Sequence, residues 1–245
     1  MRTLSVKHLL KVALISLISK CGFTLSKTSL NNNSVENLET RIHSSFIERS
    51  GGVLHIGAHK GQEADLYNQH SASVLWIEAI PEVYNLLKQN IASFENQKAI
   101  LALLGDINQE SVPFHISSND AVSSSIYEFG SELGFEGLSM TKTLYLPMVR
   151  LDYILSITDI VNYPHWVLDV QGSEMNVLRG SGTLLDQCLS IYIEVSTREV
   201  YKGGVLFQEL KKFLADKGFI PLWNPLNWSH ENIIFARVAN PRNCK

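Results

Sequence analysis

A chain of 245 residues, 45% of them hydrophobic, is long enough to bury one sizeable core. A formal net charge of −3 excludes a broad cationic surface that would attract phosphate backbones, so nucleic acid is not an expected partner. Cys21, Cys188 and Cys244 stand far apart with no C-x-x-C pair, which excludes a disulfide framework and a zinc ribbon and implies a reducing, cytoplasmic setting.

Over residues 1–25, Arg2, Lys7 and Lys11 precede the apolar run Val12 to Ile18. That run is too short to cross a bilayer, which needs roughly 20 residues. Val6, Leu9, Leu10, Ala13, Leu14, Leu17, Ile18 and Cys21 recur at steps of three and four, and Gly22 supplies a stop, so an amphipathic helix is expected. Its apolar stripe can dock on its own domain or a partner, or lie on a membrane surface or serve as an uncleaved anchor; a cleaved signal is the third reading. The polar stretch that follows is a linker, so residues 1–33 form an extension and residues 34–245 one domain.

Apolar spacing predicts a helix from Ser34 to Arg49, ended by Gly51-Gly52. A strand (Val53 to Ile56), a helix (Gln62 to Asn68), a strand (Ser73 to Ile80), a proline-opened helix (Pro81 to Ile91) and a strand (Gln97 to Leu104) follow. The middle, Asn108 to Tyr145, is less regular: S-V-P-F-H-I-S-S is an extra strand, A-V-S-S-S-I-Y a loop, and Phe129 to Ser139 a flexible excursion of the kind that covers sites. Regularity returns with a strand at Trp166 to Val170, a helix at Ser173 to Leu178, a buried strand from Leu189 and a helix at Leu206 to Lys217. The last two strands, G-F-I-P-L-W and N-I-I-F-A-R-V, read as an antiparallel pair at the sheet edge. Such alternation implies an α/β fold with a mostly parallel sheet and helices on both faces.

In V-L-H-I-G-A-H-K-G-Q-E (Val53 to Glu63), His55, His59 and Glu63 are four residues apart, as in helical metal sites. Here strand, turn and helix divide them, so their side chains should diverge and no metal is expected. Gly57 and Gly61 instead make a strand-to-helix turn that lets a ligand approach the backbone. Glu78 ends the next strand about 20 residues on, where a carboxylate accepts bonds from both ribose hydroxyls. A dinucleotide fingerprint would place a second glycine where Ala58 and His59 stand. With the antiparallel C-terminal strands, this favours S-adenosylmethionine over NAD.

The loop just quoted, I-E-A-I-P-E, V-R-L-D-Y-I-L (Val149 to Leu155), L-D-V-Q-G-S-E-M-N-V-L-R-G-S (Leu168 to Ser181) and I-Y-I-E-V-S with Y-K-G-G (Ile191 to Gly204) occur in order. In these runs the sequence resembles the FkbM family of S-adenosylmethionine-dependent methyltransferases over roughly Gly51 to Val238. The resemblance implies a Rossmann-like class I methyltransferase fold, with a seven-stranded sheet. It also implies that Gly57, Ala58 and Gly61 contact the methionine part of the cofactor, that Glu78, with Ala79 beside it, holds the ribose, and that Asp106 lies near the adenine. His55 occupies a position where the family often has an aspartate for the cofactor's ammonium group; Asp169 is the nearest substitute.

Methyl transfer depends mainly on alignment, and an alcohol acceptor also needs a base for its proton. Asp169 and Glu194, each ending a strand at the crevice, are the candidate catalytic residues, Asp169 also for cofactor contact. Glu174 is a helix-dipole partner or a substrate contact. His115 and His165 have no orienting acid in sequence and are expected to be structural. Tyr201, Trp223 and Trp228 form either an aromatic wall or packing, and Ser123 to Ser125 a loop over the cofactor or a surface loop. The expected activity is O-methylation of a sugar, glycan or secondary metabolite. A noncatalytic glycan- or partner-binding module and an NAD-linked oxidoreductase are the alternatives.

Overall fold

The computed structural model describes residues 35–130, 137–225 and 230–238. The expected amphipathic helix, its linker and Trp228 lie outside the described residues. In chain order the first half holds α1 (Val35–Ser50), β1 (Gly52–Ile56), α2 (Ala64–Gln69), β2 (Ser73–Glu78), α3 (Pro81–Asn90), β3 (Gln97–Leu101), β4 (Leu103–Leu104), β5 (Gln109–Ser117) and β6 (Met140–Val149). Two short helices, α4 (Leu151–Ile154) and α5 (Ile157–Ile160), lead to β7 (His165–Leu168) and α6 (Glu174–Gly180). A 3-10 turn at Gly182–Gln187, β8 (Ser190–Ser196), α7 (Phe207–Asp216), β9 (Phe219–Pro221) and β10 (His230–Arg237) complete the order.

Seven strands form the main sheet in the order β3-β2-β1-β7-β8-β10-β9. The pairs from β3 through to β8 are parallel, and β10 runs antiparallel to both β8 and β9. This is the Rossmann-like class I methyltransferase arrangement. The final pair is antiparallel as expected, but β10 sits inside the sheet and the three-residue β9 forms the edge on that side. A short, proline-ended edge strand resists pairing with other chains.

Alternating side chains of β1 feed two cores. Leu54 and Ile56 join Trp166, Leu168, Leu178 and Leu210 on one face, whereas Val53 joins Ile47, Tyr67 and Trp76 on the other. Strands covered on both faces read as continuous apolar runs, which is why they stand out in the sequence. Helix α1 ends at Gly51, whose φ of 65° and N–H bond to the Ile47 carbonyl (3.1 Å) make a left-handed cap. Through Ile42 and Phe46 the same helix packs on Ile234 and Ala236 of β10.

Two expectations are corrected. The single strand expected over Gln97 to Leu104 is broken at Ala102, whose N–H bonds the Glu78 carbonyl (2.9 Å), after which Leu103 and Leu104 leave the main sheet and pair with Met148 and Val149. The irregular middle contains the ten-residue β6, centre of a second sheet ordered β4-β6-β5. Pro147 argues against a central strand, yet it falls where the β5–β6 register shifts between Gln109 and Val112, so its missing N–H is accommodated there. Leu103, Val112, Phe114 and Met148 of this small sheet pack on Ile80 and Val83, which fixes it beside the C-terminal ends of the main strands.

Candidate active site

The strand order reverses at β1, and a cleft open to solvent lies beyond the C-terminal ends of β1, β2 and β7. Its floor is the turn Gly57–His59, one wall is Ile77–Ile80, and Asp169–Gln171 forms the opposite wall. Ala102 to Leu104 and Phe114 close the end nearest β3, and Ala121, Val122 and Ser124 reach over from the loop after β5.

The floor is held by backbone geometry. Gly57 has φ 83°, and a Cβ there would stand 1.8 Å from the Asp169 carbonyl oxygen, so only glycine lets β1 and β7 approach this closely. The N–H groups of Gly57 and Ala58 both bond the Ile77 carbonyl, at 3.0 and 3.1 Å, tying the turn to β2. His59 takes φ 46°, Asp120 59°, Ala121 65° and Gln171 55°. Four non-glycine residues in the left-handed region around one cleft mark a site where backbone strain is held by its surroundings. His59 and Lys60 bond Asp120, through its carbonyl (2.9 Å) and its carboxylate respectively, so the floor and the overhanging loop are clasped.

Glu78 is 6% exposed, and each of its carboxylate oxygens accepts a backbone N–H at 2.8 Å, one from His59 and one from Ile80. Burial raises its pKa, while these two N–H groups favour the anion. The carboxylate is thus fixed at the end of β2, with lone pairs left for a ligand on the wall of the cleft.

Across the cleft, carboxylates accumulate. Asp169 opens into the cleft, Glu174 is buried behind it, and Glu194 stands on the neighbouring strand. Burial, then the charge of Asp169 and Glu174, pushes Glu194 up to about 9. Burial, with the charge of Asp169 beside it, moves Glu174 up to about 7, and Asp169 is itself raised. Glu174 also accepts the N–H groups of Val170 (3.3 Å) and Gly172 (3.1 Å), so it braces the loop that carries Gln171. A set of carboxylates held this close is relieved by a cation.

Of the residues expected from sequence, the structure brings Gly57, Glu78, Ala79 and Asp169 to the cleft wall. Ala58 lies buried behind the turn, and Gly61 faces Leu87, with a Cβ there 2.7 Å from its Cδ1. His55 is not brought to the cleft. Strand alternation turns it with Val53 beneath α2, where it stacks on Trp76 (4.7 Å) and bonds the Tyr67 hydroxyl (2.9 Å), and burial holds its pKa at about 3. Asp106 is likewise outside the lining; its carbonyl accepts Arg150 Nη1 (2.9 Å). Glu194 meets the site through Gln171 Nε2 (3.2 Å). His59 turns to Asp120 and Gln62, so His55, His59 and Glu63 diverge; among the described residues no group of three His, Cys, Asp or Glu side chains could hold a metal.

Sequence reasoning missed Gln171, Phe114, Val122 and the run Ala102–Leu104. Of the serines, Ser124 lines the cleft and Ser125 Oγ bonds the Gln171 carbonyl (2.6 Å). His165 is fully buried against Ser190 (2.7 Å), His115 bonds Thr143 (3.1 Å) at the surface, and Trp223 packs against the core. Tyr201 is 3% exposed and directs its hydroxyl at Gln171.

No curated protein sequence matches the chain. Among solved structures it is similar to an uncharacterized protein from Listeria monocytogenes serotype 4b at 10% identity, with 86% of this chain and 70% of that one covered and a TM-score of 0.49. A putative RNA methyltransferase from Pyrococcus horikoshii gives 14% identity, 99% and 100% coverage and a TM-score of 0.42. Fibrillarin from Aeropyrum pernix, solved with natively bound S-adenosyl-L-methionine, gives 12%, 75% and 65%, and 0.42. The fold assignment stands on the strand order itself. The family model described as the methyltransferase FkbM domain matches residues 55–221, from the strand beneath the cleft through β9. The chain therefore belongs to the FkbM methyltransferase family, whose cofactor is S-adenosylmethionine.

Proposed function

We propose that this chain transfers a methyl group from S-adenosylmethionine to a hydroxyl of a sugar, glycan or secondary metabolite. One observation carries the reading: a buried carboxylate, Glu78, braced on both oxygens by backbone N–H groups, faces a cleft whose opposite wall presents the Asp169 carboxylate, tied through Gln171 to Glu194. The cofactor fits that pattern, because it pairs an uncharged ribose diol with two cationic centres, an ammonium and a sulfonium. Glu78 would hold the diol, and Asp169, on the opposite wall, would hold the ammonium. His55 then has a packing role, neutral against Trp76 and away from the cleft.

Bound there, the cofactor supplies an activated methyl group on a good leaving group. The chain's own residues do the rest. Gly57 and His59 shape the floor, Ala121 and Val122 reach over it, and Glu194, tied to Asp169 through Gln171, would take the proton of an acceptor hydroxyl. The test is consumption of S-adenosylmethionine with a panel of sugar, glycan and phenolic acceptors, abolished by Gly57→Arg. Stabilisation by NAD rather than S-adenosylmethionine in thermal melts would favour an oxidoreductase, and tight binding without turnover across the panel a noncatalytic module.

A further inference from the structure

Gln171 occupies an unusual place in the cleft wall. It is the fourth residue of the L-D-V-Q-G-S run and takes a left-handed backbone, φ 55°, that a long side chain adopts only when its surroundings hold it. Three contacts do so: Ser125 Oγ donates to its carbonyl (2.6 Å), Gly172 N–H bonds Glu174, and the Tyr201 ring lies against Gly172, where a Cβ would meet Tyr201 Cβ at 3.1 Å. This backbone aims the side-chain amide between two carboxylates. Its Nε2 donates to Asp169 Oδ1 and to Glu194 Oε2 (3.2 Å), while its Oε1 accepts the Tyr201 hydroxyl, whose hydrogen is shared with the Ser123 carbonyl (3.2 Å). The two carboxylates fix which way the amide points, because a flipped amide would turn its oxygen toward both of them, and the Tyr201 hydroxyl then holds the outward-facing amide oxygen.

Resting on the methyltransferase reading, we propose that Gln171 is a positioning residue. Oriented by Tyr201, its amide binds Asp169 and Glu194 into one proton-accepting pair directed at the acceptor hydroxyl. The hydroxyl proton passes to an oxygen of this pair as the acceptor oxygen gains the methyl carbon and the departing sulfur keeps the bonding electrons. No further reactant is required. The charged and titratable groups facing the pair are Glu174 from α6, Glu63 and His59 from the turn before α2, Tyr192 from β8, Tyr201 from the turn before α7 and His230 from β10. Glu63, Glu174 and the pair's own repulsion oppose ionisation, and Gln171 is the neutral donor that favours it.

The test compares calorimetric affinities for S-adenosylmethionine and S-adenosylhomocysteine as a function of pH. The two share ribose and amino acid but differ by the sulfonium charge, so the pH inflection of their affinity ratio reports ionisation of the carboxylate pair. Losing the amide donor withdraws a bond from the anions, so Gln171→Met should move that inflection, and the acidic limb of kcat, upward by about one pH unit. The same variant should lower kcat roughly 10- to 100-fold. Tyr201→Phe, which keeps the packed ring, should shift both in the same direction by less, and it carries the test if Gln171→Met fails to fold. A wild-type ratio without an inflection, or an inflection and acidic limb unmoved in these variants, overturns the role of Gln171. Failure of the wild type to bind either nucleoside overturns the methyltransferase reading instead.

Discussion

Glu78→Gln is the most informative single substitution, because it keeps the side-chain volume and changes only charge and donor pattern. Both oxygens of Glu78 accept backbone N–H groups at 2.8 Å, from His59 and Ile80. A glutamine satisfies one of them and points its NH2 at the other, leaving two donors face to face in a site that is 6% exposed. Bonds from ribose hydroxyls to a carboxylate contribute about 1.5–3 kcal/mol each, against about 0.5–1.5 kcal/mol for neutral partners. Weakening two of them costs about 2–3 kcal/mol, or roughly 30- to 150-fold in Kd. The opposed donors cost stability as well, offset in part because a buried charge is removed, for a net loss of about 1 kcal/mol. Calorimetric titration with S-adenosylhomocysteine and urea unfolding of the same preparations measure the two effects separately. An unchanged nucleoside affinity in a folded Glu78→Gln protein would refute the assignment of Glu78 to the ribose.

Other substitutions test neighbouring parts of the account. Gly57→Ala places a Cβ 1.8 Å from the Asp169 carbonyl at φ 83°, so urea unfolding should show a loss of about 3 kcal/mol or more; a loss under 1 kcal/mol would mean that β1 and β7 can part freely. Asp169→Asn removes the anion proposed to hold the ammonium and should weaken S-adenosylhomocysteine binding roughly 10- to 100-fold, with little change in stability; equal binding would place the ammonium elsewhere. His43 stacks on Tyr192 at 3.9 Å with its Nε2 unbonded, and burial, aided by the charges of His55 and His70, lowers its pKa to about 3. A folded pKa below the unfolded value near 6.5 gives stability that is present above pH 6.5 and lost as the pH falls toward 3. His43→Phe keeps the stacked ring without the titration, so its stability relative to wild type should rise by about 1.4 kcal/mol between pH 7.5 and 5.5, all other groups cancelling in the difference. A pH-independent difference would show that His43 is solvated.

What could be read from the sequence was local. Val53 to Ile56, the glycine turn, Glu78 and Asp169 follow from a strand covered on both faces, a turn that needs positive φ and acids at strand ends, all encoded within a few residues. His55 was legible too, since period two places it on the side of Val53 and away from the cleft, but a family position outweighed the alternation. Strand β6 escaped because Pro147 argues against a central strand, and the register shift that accommodates it depends on Gln109 to Val112 of β5, at least 35 residues earlier. The split between β3 and β4 is set by one bond from Ala102 to Glu78, which an unbroken apolar run does not announce. Gln171 was hidden for the same reason: its partners Ser125, Glu194 and Tyr201 lie 46, 23 and 30 residues away, so its role exists only once the chain has folded.

The most direct measurement is a crystal structure of the chain with S-adenosylhomocysteine. The account predicts both ribose hydroxyls on the Glu78 carboxylate, the amino acid between the Gly57 turn and Asp169, and the sulfur facing the carboxylates bridged by Gln171. A nucleoside bound elsewhere, or a cleft that stays closed to it at saturating concentration, would contradict the account.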